Sequence, residues 1–257
     1  RYWGVPLPVW RTEDKKETKA IGSAAELKAE IEKSIDAGFM DSNPLETFEP
    51  GNMSKDNYYH RAQFLLSVGK MTQLPDDVGY EVAFAGRSNA GKSSAINVLT
   101  NNQQLARTSK TPGRTQLINY FSLDDTRRLV DLPGYGYAKV SKQIKMEWDA
   151  LLDAYLQSRQ SLRGLILLMD CRHPLKEFDT QLIQWCARSD LPLHILLTKS
   201  DKLNRGAAAN ALQKVKSHLK PAMPAASVQL FSALNKTGTD NLISVLDKWL
   251  LIEQNGS

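Results

Sequence analysis

A short glycine-rich stretch could hold the phosphates of a nucleotide. It consists of Gly86, Arg87, Ser88, Asn89, Ala90, Gly91, Lys92, Ser93 and Ser94. The stretch follows the apolar run 81–85 and precedes a predicted helix at 94–99. Backbone N–H groups of such a loop surround phosphates, Lys92 would reach the β- and γ-phosphates, and the Ser93 hydroxyl would bind Mg²⁺. Because a helix N-terminus also favours negative charge, this P-loop predicts a nucleoside triphosphate site.

A carboxylate much further along the chain indicates which base is bound. Thr198, Lys199, Ser200 and Asp201 follow the apolar run 193–197. Asp201 can accept hydrogen bonds from N1–H and N2–H₂ of guanine, whereas adenine would leave the carboxylate unpaired at considerable cost. We expect Lys199 to flank the purine ring. A further motif, Phe231, Ser232 and Ala233, follows another predicted strand and suits backbone contact to guanine O6.

Two segments between these motifs have the spacing of loops that sense a γ-phosphate. The first contains Thr111, Pro112, Gly113, Arg114 and Thr115, and the second contains Asp131, Leu132, Pro133 and Gly134. The Thr115 hydroxyl can bind Mg²⁺, Asp131 can hold the water shell of the metal, and the Gly134 N–H can contact the γ-phosphate. Hydrolysis would then release both loops. Each motif alone occurs in ordinary turns, but five of them in order at the ends of predicted strands indicate a GTP site.

The elements that must position these motifs are predicted by apolar periodicity. Strand-like runs occur at 81–85, 117–123, 127–131, 164–170, 192–198 and 227–231. Since most of them alternate with helical stretches, they predict an α/β fold with a mostly parallel six-stranded sheet and helices on both faces. Two helices have apolar stripes, which we assign to the core: Trp148, Leu151, Leu152, Tyr155 and Leu156, and then Leu242, Val245, Leu246, Trp249 and Leu250.

Three other residues are interpreted as structural. His194 lies within an apolar strand and is expected to be a packed core histidine. Cys171 and Cys186 lack metal-ligand or CxxC spacing, so we expect free thiols in a reducing cytosol. No apolar run approaches the roughly 18 residues of a membrane-spanning helix, and no signal peptide pattern is present, which favours a cytoplasmic location.

Charge is distributed unevenly along the chain. Residues 1–52 have a net charge of −3, whereas residues 53–257 have a net charge of +8. A basic domain can gain affinity for RNA through counterion release, although many basic enzymes bind no nucleic acid. The candidate contacts beside the γ-phosphate loops are Arg107, Lys110, Lys139, Lys142 and Lys145. Lys214, Lys216 and Lys220 are more simply read as a solvated helix face.

From about residue 53 to residue 254 the chain resembles the EngB (YihA/YsxC) family of ribosome-biogenesis GTPases. The motifs that carry the resemblance are GRSNAGKSS at 86–94, LARTSKTPGRTQLIN at 105–119, RLVDLPGYGYA at 128–138, MDCRHPLK at 169–176 and LLTKSDKL at 196–203. The resemblance implies a Mg²⁺-dependent GTPase that acts as a nucleotide-gated switch late in assembly of the large ribosomal subunit. It also implies a link to cell division and septation, with rRNA and ribosomal proteins of the subunit precursor as partners of a monomer.

Residues 1–52 do not share this resemblance. Residues 1–14 and 21–23 are similar to an internal piece of isoleucyl-tRNA synthetase, and Ser23 and Glu26 form a capping box for a predicted helix. The segment is too short for synthetase chemistry. We therefore expect a leader at 1–52, arising from fusion, an assembly artefact or an engineered extension, and a GTPase domain at 53–257.

The catalytic assignments are Lys92, Thr115, Gly134 and Asn89. Tyr135 stands where Ras-like enzymes carry the glutamine that orients the attacking water, which predicts slow intrinsic hydrolysis. In several related GTPases the residue at the position of Asn89 helps to hold a K⁺ ion that neutralises transition-state charge, so we hypothesise K⁺ stimulation. The alternative reading is that Asn89 only hydrogen-bonds within its own loop.

Two other functions share some of these motifs. A GTP-gated septum scaffold without a ribosomal role would carry the same nucleotide site, and only partner binding separates it from the assembly switch. A P-loop metabolic kinase or ATPase is disfavoured, because Asp201 indicates guanine and no acceptor site or lid is evident.

Overall fold

The computed structural model of this chain describes residues 56–106, 117–135 and 142–252. Seven strands form one sheet in the order β1-β3-β4-β2-β5-β6-β7. They are β1 (Gln63–Val68), β2 (Tyr80–Gly86), β3 (Ile118–Ser122), β4 (Arg127–Asp131), β5 (Leu162–Asp170), β6 (Leu193–Thr198) and β7 (Ser227–Leu230). The five strands that are adjacent in the order β4-β2-β5-β6-β7 run parallel to one another, whereas β3 runs antiparallel to both β1 and β4.

Helices connect most of these strands. They are α1 (Asp56–His60), α2 (Lys92–Leu99), α3 (Lys142–Ser158), α4 (Glu177–Arg188), α5 (Arg205–Ala222) and α6 (Thr239–Leu250), with 3-10 turns at Met71–Gln73 and Ser200–Lys202. The side chains of α3 are described from residue 150 onward. None of the helices in the described part of the chain is long and apolar enough to cross a membrane.

The six predicted strands are all present, because each is a local apolar run; the central strands β2, β5 and β6 are almost fully buried, whereas the edge strand β7 is only partly buried. Alternate side chains of β2 face opposite layers: Ala83 packs with one cluster, and Val82 and Phe84 pack with the other. The first cluster takes its helical residues from α3, α4 and α5, and the second takes them from α1, α2 and α6. The predicted α/β fold with helices on both faces of the sheet is therefore confirmed.

The sheet nevertheless has seven strands rather than the six predicted. The additional strand, β1, lies at the edge of the sheet and pairs only with β3. Phe64 and Leu65 are exposed there, and a bulge separates Phe64 from Leu66 in the pairing. Since the apolar residues of β1 do not alternate with polar ones, the period-two signal of a half-buried strand is absent. The register of this strand is fixed by pairing with a distant segment.

The core assignments made from the sequence agree with the packing wherever side chains are described; the side chain of Trp148 lies outside them. Leu152, Tyr155 and Leu156 are buried on α3, and Leu242, Leu246 and Leu250 are buried on α6. Both cysteines are buried free thiols. Within the described ranges, no group of three His, Cys, Asp or Glu side chains could hold a metal ion.

His194 is a buried core histidine, as predicted. Its Nδ1 lies 2.7 Å from Ser227 Oγ, and its Nε2 lies 3.0 Å from Gln229 Oε1. Because the amide nitrogen of Gln229 donates to the Gly238 carbonyl, Oε1 of Gln229 is left to accept from Nε2 of His194. Burial lowers the pKa of His194 to about 4, so the imidazole is neutral at physiological pH.

Candidate nucleotide-binding site

The carboxyl ends of five parallel strands meet at one edge of the sheet. Gly86 ends β2, Asp131 ends β4 and Thr198 ends β6, while Phe231 directly follows β7. Open parallel sheets bind ligands at this edge. Four of the five sequence motifs therefore converge in space. The fifth, with Thr111, Pro112, Gly113, Arg114 and Thr115, lies outside the described residues, and its assignment remains a prediction.

The glycine-rich loop leads directly into α2. Its backbone turns tightly, with a hydrogen bond from the Ala90 amide to the Arg87 carbonyl (2.9 Å). Asn89 and Gly91 have positive φ angles of 63° and 93°. Gly91 caps α2, which begins at Lys92 rather than at the predicted residue 94. Lys92, Ser93 and Ser94 therefore occupy the first turn, where backbone N–H groups have no partner within the helix and are available to an anion.

Lys92 and Asp131 lie together at the base of the site. The Lys92 ammonium contacts Asp131 Oδ1, and both side chains are almost fully buried. Asp131 is brought to this point by the register of β4 against β2, in which it pairs with Phe84. Serine and aspartate oxygens are the hard ligands that Mg²⁺ prefers, so the chemistry of Ser93 and Asp131 suits that ion. When bound, Mg²⁺ would neutralise phosphate charge.

The segment after β4 runs against the glycine-rich loop. The Tyr135 amide donates to the Gly86 carbonyl (3.3 Å), and the Ser88 amide donates to the Tyr135 carbonyl (2.8 Å). A side chain at Gly134 would meet the Ser88 backbone at 3.2 Å, so this close approach favours glycine. The preceding residues Leu132 and Pro133 are buried. The Gly134 backbone is thus held beside the loop that would bind the phosphates.

The side chain of Tyr135 is directed into the core. Its ring centroid lies 4.2 Å from that of Phe178, and its hydroxyl donates to Asp179 Oδ1 (2.6 Å). The other Asp179 oxygen accepts from the Lys176 amide at the start of α4 (2.9 Å). Burial raises the pKa of Asp179 above its ordinary value, although both hydrogen bonds oppose the shift. Tyr135 therefore anchors the segment after β4 to α4.

Two residues of the predicted base-binding motif hold the glycine-rich loop. Thr198 Oγ1 donates to the Ala90 carbonyl (2.5 Å) and also lies 3.1 Å from the Met169 carbonyl. The Lys199 ammonium donates to the Asn89 carbonyl (2.7 Å). We call these two hydrogen bonds from Thr198 and Lys199 the loop clamp. It joins motifs that are more than a hundred residues apart.

Asp201 is held in place by the motif that follows β7. Its Oδ1 accepts from Ser232 Oγ (2.7 Å), and its Oδ2 lies 3.4 Å from the Lys202 ammonium. The Ser200 amide donates to the Phe231 carbonyl (3.1 Å), which fixes the two loops together. The hydrogen bond from Ser232 is the main cause that lowers the pKa of Asp201, so its carboxylate is an obligate acceptor at neutral pH.

A cavity of about 510 Å³ lies between these loops and α2. Its walls include the predicted residues Gly91, Ser94, Thr198, Lys199, Asp201, Phe231 and Ala233. The volume falls within the roughly 300–1,000 Å³ of ordinary ligand pockets. Asp201 and Lys199 therefore line a cavity that reaches the glycine-rich loop, as a base and its phosphates require.

Asn97 also borders this cavity, and the sequence interpretation missed it. Its amide donates to the carbonyls of Gln103 and Ala106 (both 2.9 Å) and accepts from the Ala106 amide (2.8 Å). The side chain thus holds the turn after α2 against the cavity wall. A polar residue within an otherwise apolar predicted helix was the signal that could have identified it.

A family comparison covers the central part of the chain. Residues 81–199 match the model of a family described as 50S ribosome-binding GTPase. This range includes the glycine-rich loop, the Asp131 segment and both residues of the loop clamp.

Solved structures share the fold. One, described as a probable GTP-binding protein engB, has 19% identity and a TM-score of 0.54, and the match covers 67% of this chain and all of that one. Another is Era in complex with MgGDPNP and nucleotides 1506–1542 of 16S ribosomal RNA, with 20% identity and a TM-score of 0.53; that match covers 70% of this chain and 59% of Era. An Aquifex aeolicus Era variant bound to GDP·AlF₄⁻ has 17% identity and a TM-score of 0.52, with 69% and 57% covered. At these identities the likeness concerns the fold, and this chain spans little more than half of either Era chain.

Proposed function

We propose that this chain is an EngB-like GTPase that acts as a GTP-gated switch in late assembly of the large ribosomal subunit; the match of residues 81–199 to the 50S ribosome-binding GTPase family supports this proposal. The observation that carries the proposal is the loop clamp, in which the predicted guanine-binding motif hydrogen-bonds the predicted phosphate-binding loop. One cavity thereby combines an acceptor for guanine with a helix N-terminus for phosphates.

In this proposal the base is read by Asp201. Its carboxylate accepts from N1–H and N2–H₂ of guanine, while the methylene stem of Lys199 lies along the ring. The Ala233 backbone contacts O6. The hydrogen bond from Ser232 supports this reading, because it orients the carboxylate from the side away from Lys202.

The phosphates and Mg²⁺ occupy the other end of the site. Lys92 contacts the β- and γ-phosphates, the Ser93 hydroxyl binds Mg²⁺, and Asp131 orients the water shell of the metal. The Gly134 N–H senses the γ-phosphate, and Thr115, which lies outside the described residues, completes the Mg²⁺ ligands. Loss of the γ-phosphate removes a partner from both sensing loops, which is how hydrolysis would change the surface offered to a partner.

We propose that intrinsic hydrolysis is slow. The Tyr135 hydroxyl is buried against Asp179, so this residue does not supply the water-orienting amide found in Ras-like enzymes. K⁺ held beside Asn89 would provide the missing positive charge in the transition state.

The proposed partner is the large-subunit precursor, through rRNA and ribosomal proteins, for a monomer in the cytoplasm. The net charge of +8 on residues 53–257 supports an RNA contact through phosphate neutralisation. Era, 59% of which matches this chain, is solved in complex with 16S ribosomal RNA, which is in keeping with an RNA partner. Lys214, Lys216 and Lys220 are exposed on α5 but lie on an ordinary solvated face. The link to cell division and septation rests on the family resemblance alone.

Co-sedimentation with separated ribosomal subunits tests the proposal. The full chain is incubated with a non-hydrolysable GTP analogue, GDP or no nucleotide across a salt series. We expect pelleting with the large subunit that requires the GTP analogue and persists at moderate salt. Pelleting that ignores the nucleotide and disappears with modest salt would instead indicate non-specific charge, because such binding falls steeply with salt concentration. That result would contradict the assembly role and favour the septum scaffold, whereas pelleting only with the small subunit would contradict a role in the large subunit.

A further inference from the structure

A second, smaller cavity lies on the other side of the glycine-rich loop. It encloses about 260 Å³ between residues 87–90 and the turn that follows β5. Lys199 lines this cavity as well as the larger one. Asp170, the last residue of β5, also lines the smaller cavity, and none of the five nucleotide motifs includes it.

Asp170 is the centre of a compact charge cluster. Arg172 donates to both of its oxygens, through Nε to Oδ1 (2.9 Å) and through Nη2 to Oδ2 (2.6 Å). The Lys199 ammonium lies 3.0 Å from the same Oδ2. The hydrogen bond from Arg172 is the largest of the effects that hold the pKa of Asp170 well below its ordinary range, and Lys199 adds to it. Asp170 is therefore an anion with a fixed orientation, as a bidentate arginine contact produces.

The Lys199 ammonium is held from two sides. It lies between the Asp170 carboxylate (3.0 Å) and the Asn89 carbonyl (2.7 Å). The Lys199 backbone is in the left-handed region, with φ 59°, where it begins the 3-10 turn that carries Asp201. A lysine side chain ordinarily samples many rotamers, and immobilising it on binding opposes ligand affinity. Here that immobilisation is already present.

We propose that Asp170 is a positioning residue for the guanine nucleotide. It fixes the Lys199 ammonium, so that the methylene stem of Lys199 forms a preformed wall of the base cavity and the loop clamp is held closed. The proposal rests on the proposed function of the site. It assigns to the turn after β5 a role in nucleotide affinity, whereas choice of base stays with Asp201.

A purely local role for Asp170 makes a different prediction. The Arg172 amide also donates to Asp170 Oδ1 (3.1 Å), so the side chain organises its own turn. Asparagine can retain this turn contact through its oxygen while losing the charge that attracts Lys199. Asp170→Asn therefore separates the two roles.

The test is a double-mutant cycle on nucleotide affinity. Dissociation constants for GDP and GTP are measured for the full-length wild type, Asp170→Asn, Lys199→Ala and the double variant. We expect Asp170→Asn to weaken both nucleotides by about tenfold, as loss of a charge-assisted contact would. In the Lys199→Ala background it should weaken them no further, because the residue through which Asp170 acts is gone. The preference for GDP over XDP should not change.

Asp190→Asn is the matched control. Asp190 is exposed in the turn before β6, at the edge of the sheet opposite the site, and its φ of 52° suits asparagine. We expect no change in affinity. If Asp170→Asn fails to fold, the same cycle with Asp170→Glu, which keeps the charge but moves it by one methylene, decides the question.

Two results would overturn the proposal while leaving the proposed function intact: wild-type affinity in Asp170→Asn, or an equal loss with and without Lys199. A wild-type chain that binds neither GDP nor GTP would instead refute the proposed function itself.

Discussion

At the scale of single residues, the proposed choice of base depends on Asp201. We expect Asp201→Asn to weaken GDP binding by at least about tenfold and to reverse the preference toward XDP, because asparagine can donate to the oxygen that xanthine carries in place of the guanine amine. Ser232 can still donate to the remaining oxygen of the side chain. A competition titration of GDP against XDP measures the ratio of the two affinities. If Asp201→Asn kept its selectivity for guanine, Asp201 would not be the residue that selects the base. Asp240→Asn, which changes an exposed aspartate, is the control.

Asn89 has a backbone reason to be asparagine, independent of any ion. Its φ of 63° is more accessible to asparagine and glycine than to other residues. Asn89→Gly keeps this turn and the carbonyl that Lys199 contacts but removes the side-chain oxygen. We expect wild-type GTP turnover to be roughly tenfold or more faster in K⁺ than in Na⁺, and the glycine variant to lose the difference. Equal wild-type turnover in the two salts would leave Asn89 with only the backbone role.

At the scale of elements, the hydrogen bond between Tyr135 and Asp179 joins the segment after β4 to α4. Tyr135→Phe leaves the buried Asp179 carboxylate with one fewer donor, so we expect the free energy of unfolding to fall by about 1–3 kcal/mol. Urea unfolding at pH 7 measures the loss. Tyr58→Phe is the control, since it removes the same atom from a half-buried bond to Asp124, which also accepts from Thr126 and Arg127. If Tyr135→Phe lowers the free energy of unfolding no more than Tyr58→Phe does, Tyr135 does not anchor the segment after β4 to α4.

The hydrogen bond between Tyr135 and Asp179 also predicts how the stability lost in Tyr135→Phe depends on pH. The pKa of Asp179 is raised by burial, and the bond from Tyr135 opposes that shift, so Tyr135→Phe should raise the pKa further. A raised carboxyl pKa stabilises the fold at low pH, and this stability is lost as pH rises through the folded-state pKa. The deficit of Tyr135→Phe should therefore be largest at neutral pH and should shrink on acidification. Urea titrations of variant and wild type from pH 7 to pH 5 check the sign.

At the scale of the whole molecule, His194 predicts sensitivity to acid. Its folded-state pKa is lowered to about 4, against about 6.5 in an unfolded chain. Between these two pKa values the unfolded chain binds a proton at His194 and the folded chain does not. The stability that His194 contributes is therefore lost as pH falls from about 6.5 toward 4. Each pH unit in this interval should cost about 1.4 kcal/mol from this group. Comparing the pH slope of unfolding in His194→Gln with that in the wild type isolates it. An unchanged slope would contradict the assignment, and exposed His60, changed to glutamine, is the control.

The sequence predicted those parts of the molecule that are local. Each of the six strands, the glycine-rich loop and the Asp201 motif can be recognised within about ten residues of sequence. The predicted fold class is confirmed, and residues 81–199 match the 50S ribosome-binding GTPase family. Contacts between distant segments were not predictable in this way. The β1 edge pairing and the bonds of Asp170 to Lys199 and of Tyr135 to Asp179 depend on which segments the sheet brings together. The boundary at residues 52 and 53 and the roles of the individual site residues stay predictions.

The loop clamp also bears on how the chain becomes competent while it is being synthesised. Thr198 is 108 residues downstream of the Ala90 carbonyl that it contacts, and Lys199 is 110 residues downstream of Asn89. At typical elongation rates this separation corresponds to about 5–20 s. During that interval the nascent chain has its phosphate loop but neither the clamp nor Asp201. If Asp201 selects guanine as proposed, the nascent chain gains this selectivity only once β6 and β7 have emerged from the ribosome.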